Sequence, residues 1–450
     1  MFGILIIIYR CQIYYIEKSY FFQYNIQRGD KMSRGGKREN SGRKQIVGRE
    51  YKIKIADEKV EQIAMKFLGN SLNDKIRECL EYGLMKVEDG KKMSTKDKKP
   101  TVLDLFSGAG GLSRGFLDAG CNVVLGVDFD DMALKTFKEN HGSADAMKLD
   151  LFNHENINQI TEYLNNKDIK IDILVGGPPC QGFSLAGPRN KDDKRNTLYT
   201  AMVKTAEILK PKAVVLENVP GLLTLYNGIA SQRIIEDFTA LGYTVKAQVL
   251  YAPEYGIPQI RKRVFFVALL DSDKEFEFPK PILTEGNFVT CEDAIGDLDG
   301  LEGKMGEFEQ EYTSEPITEY QKIMRKNSTK LYNHMSTKHT EKTVKLIAMV
   351  PEGKNYKALP PEYRDQFNFN EALTRYHSKK PSRTIDTGHR THFHYKYNRI
   401  PTVRENARLQ SFPDDFIFYG NKSQQYKQVG NAVPPILGYH LAMQIKKYIK

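Results

Sequence analysis

From Thr101 onward the chain alternates between two patterns. Apolar runs of strand length stand at Val102–Phe106, Val123–Val127, Ile171–Val175, Ala213–Leu216 and Val264–Leu270. Helix-compatible stretches such as Met132–Asn140 and Tyr199–Leu209 lie between most of them. Strands that are apolar throughout need cover on both faces, and alternation with helices supplies it in an open, mostly parallel α/β sheet. The expected fold is therefore doubly wound α/β. Residues 276–375 lose the rhythm and are rich in Glu, Tyr, Asn and Lys, which predicts a smaller, irregular domain.

The chain ahead of the sheet reads differently. Tyr51, Ile53 and Ile55 alternate with Lys52 and Lys54, the pattern of a strand with one apolar face. Val60, Ile63, Ala64, Phe67 and Leu68 then recur at helical spacing up to Gly69. Ser71 and Asp74 fit a capping box for a second helix carrying Leu72, Ile76, Cys79 and Leu80. One strand and two short helices cannot close a core alone. Their order resembles the ribbon-helix-helix DNA-binding family, which pairs two copies of the strand in a dimer and lays the ribbon in the major groove. That resemblance implies a small α/β N-terminal extension in which Lys52 and Lys54 face DNA. The alternative is a helical appendage with a solvated lysine face.

Charge is unevenly spread. The formal net charge of +11 divides into +9 over residues 1–100, −8 over 101–300 and +10 over 301–450, so the ends suit a polyanion. Five scattered cysteines lack the spacing of a disulfide framework or a zinc site, so no metal is expected and a cytoplasmic setting is. Met1–Tyr24 is apolar and aromatic, but Arg10, Gln12, Glu17 and Lys18 interrupt it, and no membrane span is expected. Gln27–Met32 can be encoded as a purine-rich ribosome-binding site just ahead of a start codon. Residues 1–31 are accordingly expected to be a non-native or disordered extension.

The first strand of the sheet runs into Asp104-Leu-Phe-Ser-Gly-Ala-Gly-Gly-Leu-Ser-Arg-Gly-Phe116, a Gly-rich turn between strand and helix. Such a turn lets a ligand approach the backbone. Asp128 ends the next strand, where a carboxylate can take both ribose hydroxyls of an adenosine group. Gly111 directly follows Gly110, which departs from GxGxxG and favours an adenosyl ligand over a dinucleotide.

Further strings follow in order: Gly176-Gly-Pro-Pro-Cys-Gln-Gly-Phe-Ser184, Arg195-Asn-Thr-Leu-Tyr199, Glu217-Asn-Val219, Gln259-Ile-Arg-Lys-Arg263, Arg404-Glu-Asn-Ala-Arg-Leu-Gln-Ser-Phe-Pro413 and Gln428-Val-Gly-Asn-Ala-Val-Pro-Pro435. Over residues 101–275 and 380–450 the chain resembles the DNA cytosine-C5 methyltransferase family. The resemblance implies S-adenosylmethionine as cofactor. It places Phe106, Gly108, Gly110, Asp128, Phe129, Asp150, Pro178, Asn431 and Val433 at the cofactor. It makes Cys180 the nucleophile, Glu217 the acid at cytosine N3, Arg263 the contact to the ring oxygen and Arg261 a brace for the nucleophile loop. Gln181 and Ser184 would touch DNA.

The chemistry asks for these groups. Carbon 5 of cytosine is a poor nucleophile, and a thiolate adding at carbon 6 makes it enamine-like. The base must first leave the duplex stack. The implied organisation is an extension at 1–31, a basic arm and ribbon-helix-helix-like module at 32–90, a linker at 91–100, a catalytic domain at 101–275, a target-recognition domain at 276–415 and a returning segment at 416–450. Within the recognition domain, His334, Lys338, Arg364, Arg375 and His377 are among the polar side chains available. Double-stranded DNA is the expected partner. A restriction endonuclease of the same system and a second copy of the chain, paired through the N-terminal module, are candidate partners. Two rivals remain: a transfer RNA cytosine methyltransferase, disfavoured by Gly182-Phe183-Ser184, and a repressor with a degenerate catalytic domain, disfavoured by Cys180, Glu217 and Arg263.

Overall fold

The computed structural model describes residues 99–179, 197–272, 274–365, 373–388 and 391–449, together with the backbone of three strands near the N-terminus. Those strands are β1 (Leu5–Tyr9), β2 (Gln12–Glu17) and β3 (Tyr20–Asn25), an antiparallel meander within the segment expected as a disordered or non-native extension. Residues 1–97 and 98–450 are separate units. Lys52, Lys54 and the rest of the ribbon-helix-helix-like module lie outside the described residues, as do Cys180, Gln181 and Ser184.

The larger unit is built on a seven-stranded sheet. Its strands are β4 (Thr101–Leu105), β5 (Asn122–Asp128), β6 (Asp145–Lys148), β7 (Ile173–Gly176), β8 (Ala213–Asn218), β9 (Tyr243–Tyr251) and β10 (Lys262–Leu270). The order across the sheet is β6-β5-β4-β7-β8-β10-β9. Pairing is parallel from β6 to β8, and β10 runs antiparallel to both neighbours. All five expected strands are present. The two that the apolar pattern did not reveal, β6 and β9, are the edges of the sheet. Their residues are mostly half-buried or exposed, whereas every residue of β4 is buried. An edge strand has one neighbour and thinner cover, so it carries a weaker apolar signature.

Helices cover both faces. On one face Val102, Val123, Val175, Val215 and Val267 pack against α1 (Gly111–Asp118), Phe137 of α2 (Asp131–Asn140) and a C-terminal helix. On the other, Leu103, Leu125, Leu174, Leu216 and Phe266 pack against α3 (Ile157–Asn166), α4 (Thr197–Leu209) and α5 (Ile229–Ala240). Neighbouring residues of one strand enter opposite cores, as the two-residue period of a strand demands.

Beyond β10 the chain forms short helices and two-residue strands around a third core that includes Cys291, Tyr320, Tyr376, Phe412 and Phe418. This part contains α6 (Cys291–Ile295), α7 (Glu319–Arg325), α8 (Glu341–Met349), α9 (Pro361–Arg364), α10 (Val403–Leu409) and α11 (Lys422–Asn431). The last helix, α12 (Pro435–Ile445), returns to the sheet and crosses α1. The crossing needs glycine. A Cβ on Gly115 would stand 2.3 Å from Pro435 O, and one on Gly438 would stand 2.9 Å from Leu112 O.

Candidate active site

Strand order reverses between β4 and β7, since the chain winds from β4 outward to β6 and then resumes at β7 on the other side. In open α/β sheets the crevice at the carboxyl ends of such strands is where ligands bind. The Gly-rich turn leaves β4 here, and the segment that leads to Cys180 leaves β7. Asp128 and Phe129 end β5, Asp150 follows β6, and Glu217 ends β8. Strand β10 runs the opposite way, so its first residues, including Arg263, stand at this same edge. Six strand ends at a single sheet edge thus bring together Phe106, Gly108, Gly110, Asp128, Phe129, Asp150, Pro178, Glu217 and Arg263.

At the turn, Phe106 and Gly108 adopt φ of 59° and 52°, and Gly110 adopts 90°. No heavy atom lies within 4 Å of where a Cβ on Gly108 would stand. The Asp128 carboxylate organises this loop, accepting from Gly108 N (2.8 Å), Phe129 N (2.8 Å) and Asp130 N (3.0 Å). Burial still pushes its pKa up. Phe129 is 66% exposed and Phe152 is 54% exposed, leaving two aromatic faces beside Asp128 and Asp150 in sequence. Asp150 is itself exposed and accepts from Phe152 N at 3.0 Å.

Two partners of the turn were not singled out from sequence. Asp104 is buried and accepts from Ser113 Oγ; burial pushes its carboxyl up to about 7. His141, also buried, has Nε2 3.1 Å from Gly110 O and Nδ1 2.7 Å from Phe137 O. Burial pushes its pKa down to about 4, while the two carbonyl acceptors, Phe137 O and Gly110 O, pull it up. A Cβ on Gly110 would meet the His141 ring at 2.2 Å. A histidine at a helix end gives no sequence signal for such a role.

At the ends of β8 and β10, Glu217 Oε1 is 2.9 Å from Arg263 Nε, and the two side chains are 13% and 15% exposed. Burial raises the Glu217 pKa, while Arg263 and then Arg261 oppose the rise. Arg263 Nη1 donates to Lys262 O at 2.8 Å. Asn218 Nδ2 donates to Pro178 O at 2.9 Å, so the ENV segment holds the backbone two residues before Cys180. Gly177 borders Glu217: a Cβ there would lie 2.9 Å from Glu217 Oε2.

Arg261 is only 2% exposed. Among the described residues it donates to Gly430 O (3.0 Å), Ala432 O (3.1 Å), Ile385 O (3.3 Å) and Gln259 Oε1 (3.4 Å). Burial lowers its pKa to about 9, which leaves it charged at neutral pH. The loop it was expected to brace lies outside the described residues. Asn431 is exposed and Val433 buried, and Val433 O would be 2.4 Å from a Cβ on Gly111. The C-terminal motif therefore lies against the Gly-rich turn.

Two polar residues expected to be available for target reading are scaffold instead. His334 is fully buried between Thr402 Oγ1 and Asp299 O. Arg375 is 5% exposed and donates to Ile347 O, Val350 O and His394 O, two of them at the end of α8. Among the described residues no helix is long and apolar enough to cross a membrane, and no group of three or more His, Cys, Asp or Glu converges as metal ligands do.

Comparison with known proteins gives a consistent result. Residues 100–447 match the model of the C-5 cytosine-specific DNA methylase family. The chain is 36% identical over 382 residues to the type II methyltransferase M.DdeI of Desulfomicrobium norvegicum, covering 78% of this chain and 89% of that protein. It is 37% identical over 350 residues to the type II methyltransferase M1.HphI of Haemophilus parahaemolyticus, covering 77% and 87%. In fold it is similar to the crystal structure of a protein described as a DNA modification methyltransferase encoded within a prophage (E. coli), with a TM-score of 0.62 at 24% identity over 78% of this chain and 99% of that one. The chain belongs to the C-5 cytosine-specific DNA methylase family, and is a DNA cytosine methyltransferase that uses S-adenosylmethionine.

Proposed function

We propose that the enzyme methylates carbon 5 of cytosine at a specific sequence in double-stranded DNA, through a covalent adduct between Cys180 and a flipped-out base. The observation that carries this reading is the Glu217–Arg263 pair, set 2.9 Å apart beside the Asn218 bond to Pro178 at the nucleophile loop's stem. A carboxyl raised by burial can hold a proton for N3, and a guanidinium next to it can meet the ring oxygen.

The turn fits the cofactor. Gly108 leaves open space where a side chain would stand, and Ser107 Oγ is buried without a hydrogen-bond partner. Phe106, Gly108, Gly110, Asp128, Phe129, Asp150, Pro178, Asn431 and Val433 would hold the cofactor. S-adenosylmethionine, when bound, supplies an electrophilic methyl group on a sulfonium. The chain's own residues do the rest. The Cys180 thiolate forms a bond to carbon 6 as Glu217 gives a proton to N3 and Arg263 binds the ring oxygen. Carbon 5 would then take the methyl group as its bond to the sulfonium sulfur breaks, with a neutral thioether as the leaving group. Loss of the carbon-5 proton to water, expulsion of the Cys180 thiolate and return of the N3 proton to Glu217 restore the aromatic ring and the enzyme.

In this reading residues 101–275 are catalytic, 276–415 recognise the target and 416–450 return to the sheet. Gln181 and Ser184 contact DNA. Residues 32–90 form a dimerising DNA-binding module through Lys52 and Lys54, and residues 91–100 link it to the catalytic domain. The enzyme works in the cytoplasm beside a restriction endonuclease, a role consistent with the type II methyltransferases it resembles.

The test is Cys180→Ser with labelled S-adenosylmethionine and duplex DNA. An alcohol is a far weaker nucleophile than a thiolate at neutral pH, so methyl transfer should vanish while cofactor binding persists. Normal turnover by this variant would overturn the mechanism. Transfer of label to transfer RNA but not to DNA by the wild type would overturn the substrate.

A further inference from the structure

Three segments far apart in sequence meet behind the active site in one buried polar node. The first is Gln259–Arg261, which leads into β10 and Arg263. The second is Leu409–Gln410 at the end of α10. The third is Gly430–Val433, the segment against the Gly-rich turn. Gln259 and Gln410 are both fully buried. Gln259 Nε2 donates to Gln410 Oε1 and to Leu409 O. Gln259 Oε1 accepts from Ile385 N at 3.2 Å and from Arg261 Nη1 at 3.4 Å. Gln410 Nε2 donates to Ala432 O at 2.5 Å, the same carbonyl that accepts from Arg261 Nη2 at 3.1 Å.

The residues on either side of Asn431 are therefore held through their carbonyls, Gly430 O by Arg261 and Ala432 O by Arg261 and Gln410. There is little slack around them. A Cβ on Gly430 would stand 2.2 Å from Asp386 O, and one on Gly111 would stand 2.4 Å from Val433 O and 3.0 Å from the Ala432 Cβ. A shift of the 430–433 backbone would reach the Gly-rich turn directly.

We infer that Gln410 is a positioning residue for the cofactor: by bridging Gln259 to Ala432 O it sets the 430–433 segment against the Gly-rich turn, in register with the strand that carries Arg263. This rests on the assignment of Asn431 and Val433 to the cofactor side. Gln410 touches neither reactant. It acts through the peptide it holds, and an amide is suited to the place because it accepts from Gln259 with one atom and donates to Ala432 O with the other.

Two variants of the full chain test it. Gln410→Met keeps the volume and removes both hydrogen bonds. It should raise the Kd for S-adenosylmethionine about tenfold, with DNA affinity unchanged, because a lost hydrogen bond of about 1–1.5 kcal/mol corresponds to about a factor of ten. Gln410→Glu keeps the acceptor, and donates to Ala432 O only when protonated. Its cofactor affinity should approach the wild type at low pH and fall about tenfold as the carboxyl ionises, a step that burial opposes and the Arg261 guanidinium, bonded to the same Ala432 O, favours, while wild-type affinity stays level over that range. A pH-dependent rescue is not expected of a residue that only fills space. Unchanged cofactor Kd in both variants, with a lower Tm alone, would overturn the inference. So would a Gln410→Glu profile parallel to the wild type, and this second variant decides the matter if Gln410→Met does not fold. Failure of the wild type itself to bind the cofactor would instead count against the assignment of Asn431 and Val433.

Discussion

Two of the groups of buried charge in this enzyme are paired differently. Around α10 every charge is enclosed. Arg408 donates to both oxygens of Asp414 at 2.9 and 2.7 Å and to Asp297 at 2.6 Å, and all three side chains are fully buried. Arg404 caps Tyr332 O, Pro413 O and Phe416 O. Arg399 holds Glu405 with two bonds of 2.7 Å, and Glu405 also caps Thr402 N. At the sheet edge, Glu217 and Arg263 share a single contact of 2.9 Å. Among the described residues no donor reaches Glu217 Oε2.

The shifts of the two glutamates differ in sign. Burial acts on both, but Arg399 and His394 overcome it at Glu405 and hold that carboxyl well below the usual range. At Glu217 burial wins and the carboxyl is raised. A saturated cluster fixes the geometry of α10 and the segments it touches. A cluster with unused hydrogen-bonding capacity is available to a substrate.

The comparison can be broken most sharply at Arg408. Arg408→Ala leaves Asp414 and Asp297 buried without their main partner, and should lower stability by about 3–5 kcal/mol. Urea denaturation of the intact enzyme would measure this. A stable Arg408→Ala enzyme with normal cofactor binding but no methyl transfer would move Arg408 from the scaffold to the chemistry.

Glu217→Gln should do the reverse. The single-turnover rate of methyl transfer should fall by about a hundredfold or more, while stability and DNA affinity change little. A loss of DNA affinity with an unchanged single-turnover rate would remove Glu217 from the role of acid.

A smaller effect separates the clusters by pH. A raised carboxyl contributes stability that is present below the unfolded value of 4.5 and is lost as pH rises through the folded value. Glu217 should therefore subtract stability as pH rises above 4.5, and Glu217→Gln should flatten that slope. Glu405 is depressed, so its contribution is present above 4.5 and is lost as pH falls below it, and Glu405→Gln should remove that acid sensitivity. Tm measured against pH for the two variants would check both signs. Slopes of the same sign would dissolve the distinction between the clusters.

The smallest expected effect is at the edge of the open pair. Arg263→Lys keeps a positive charge but loses the planar fork, so KM for DNA should rise several-fold with the fold intact. An equal fall in Tm would show that the pair carries structure rather than substrate.

Much of this organisation is local, and local features are legible along a chain. The central strands announce themselves because both their faces are buried and their residues are apolar throughout. The Gly-rich turn is readable because Gly108 and Gly110 supply positive φ where a strand meets a helix. The helix of Arg404-Glu-Asn-Ala-Arg408 opens with a capping box, Thr402 against Glu405, whose parts lie three residues apart. The family strings are legible because each is a short run of neighbouring residues.

What tertiary structure alone decided involves partners far apart in sequence. The edge strands β6 and β9 exist because neighbours pair with them, not because their own residues demand it. Arg263 meets Glu217 across 46 residues because β10 runs antiparallel to β8. Gln259 and Gln410, separated by 151 residues, meet only once α10 is seated. His334 and Arg375 looked available as isolated polar letters, but the backbone carbonyls they satisfy come from other segments. A buried polar group must find its hydrogen-bond partner wherever the fold brings one. Spacing along the chain cannot specify that partner, because only the closed core brings the two together.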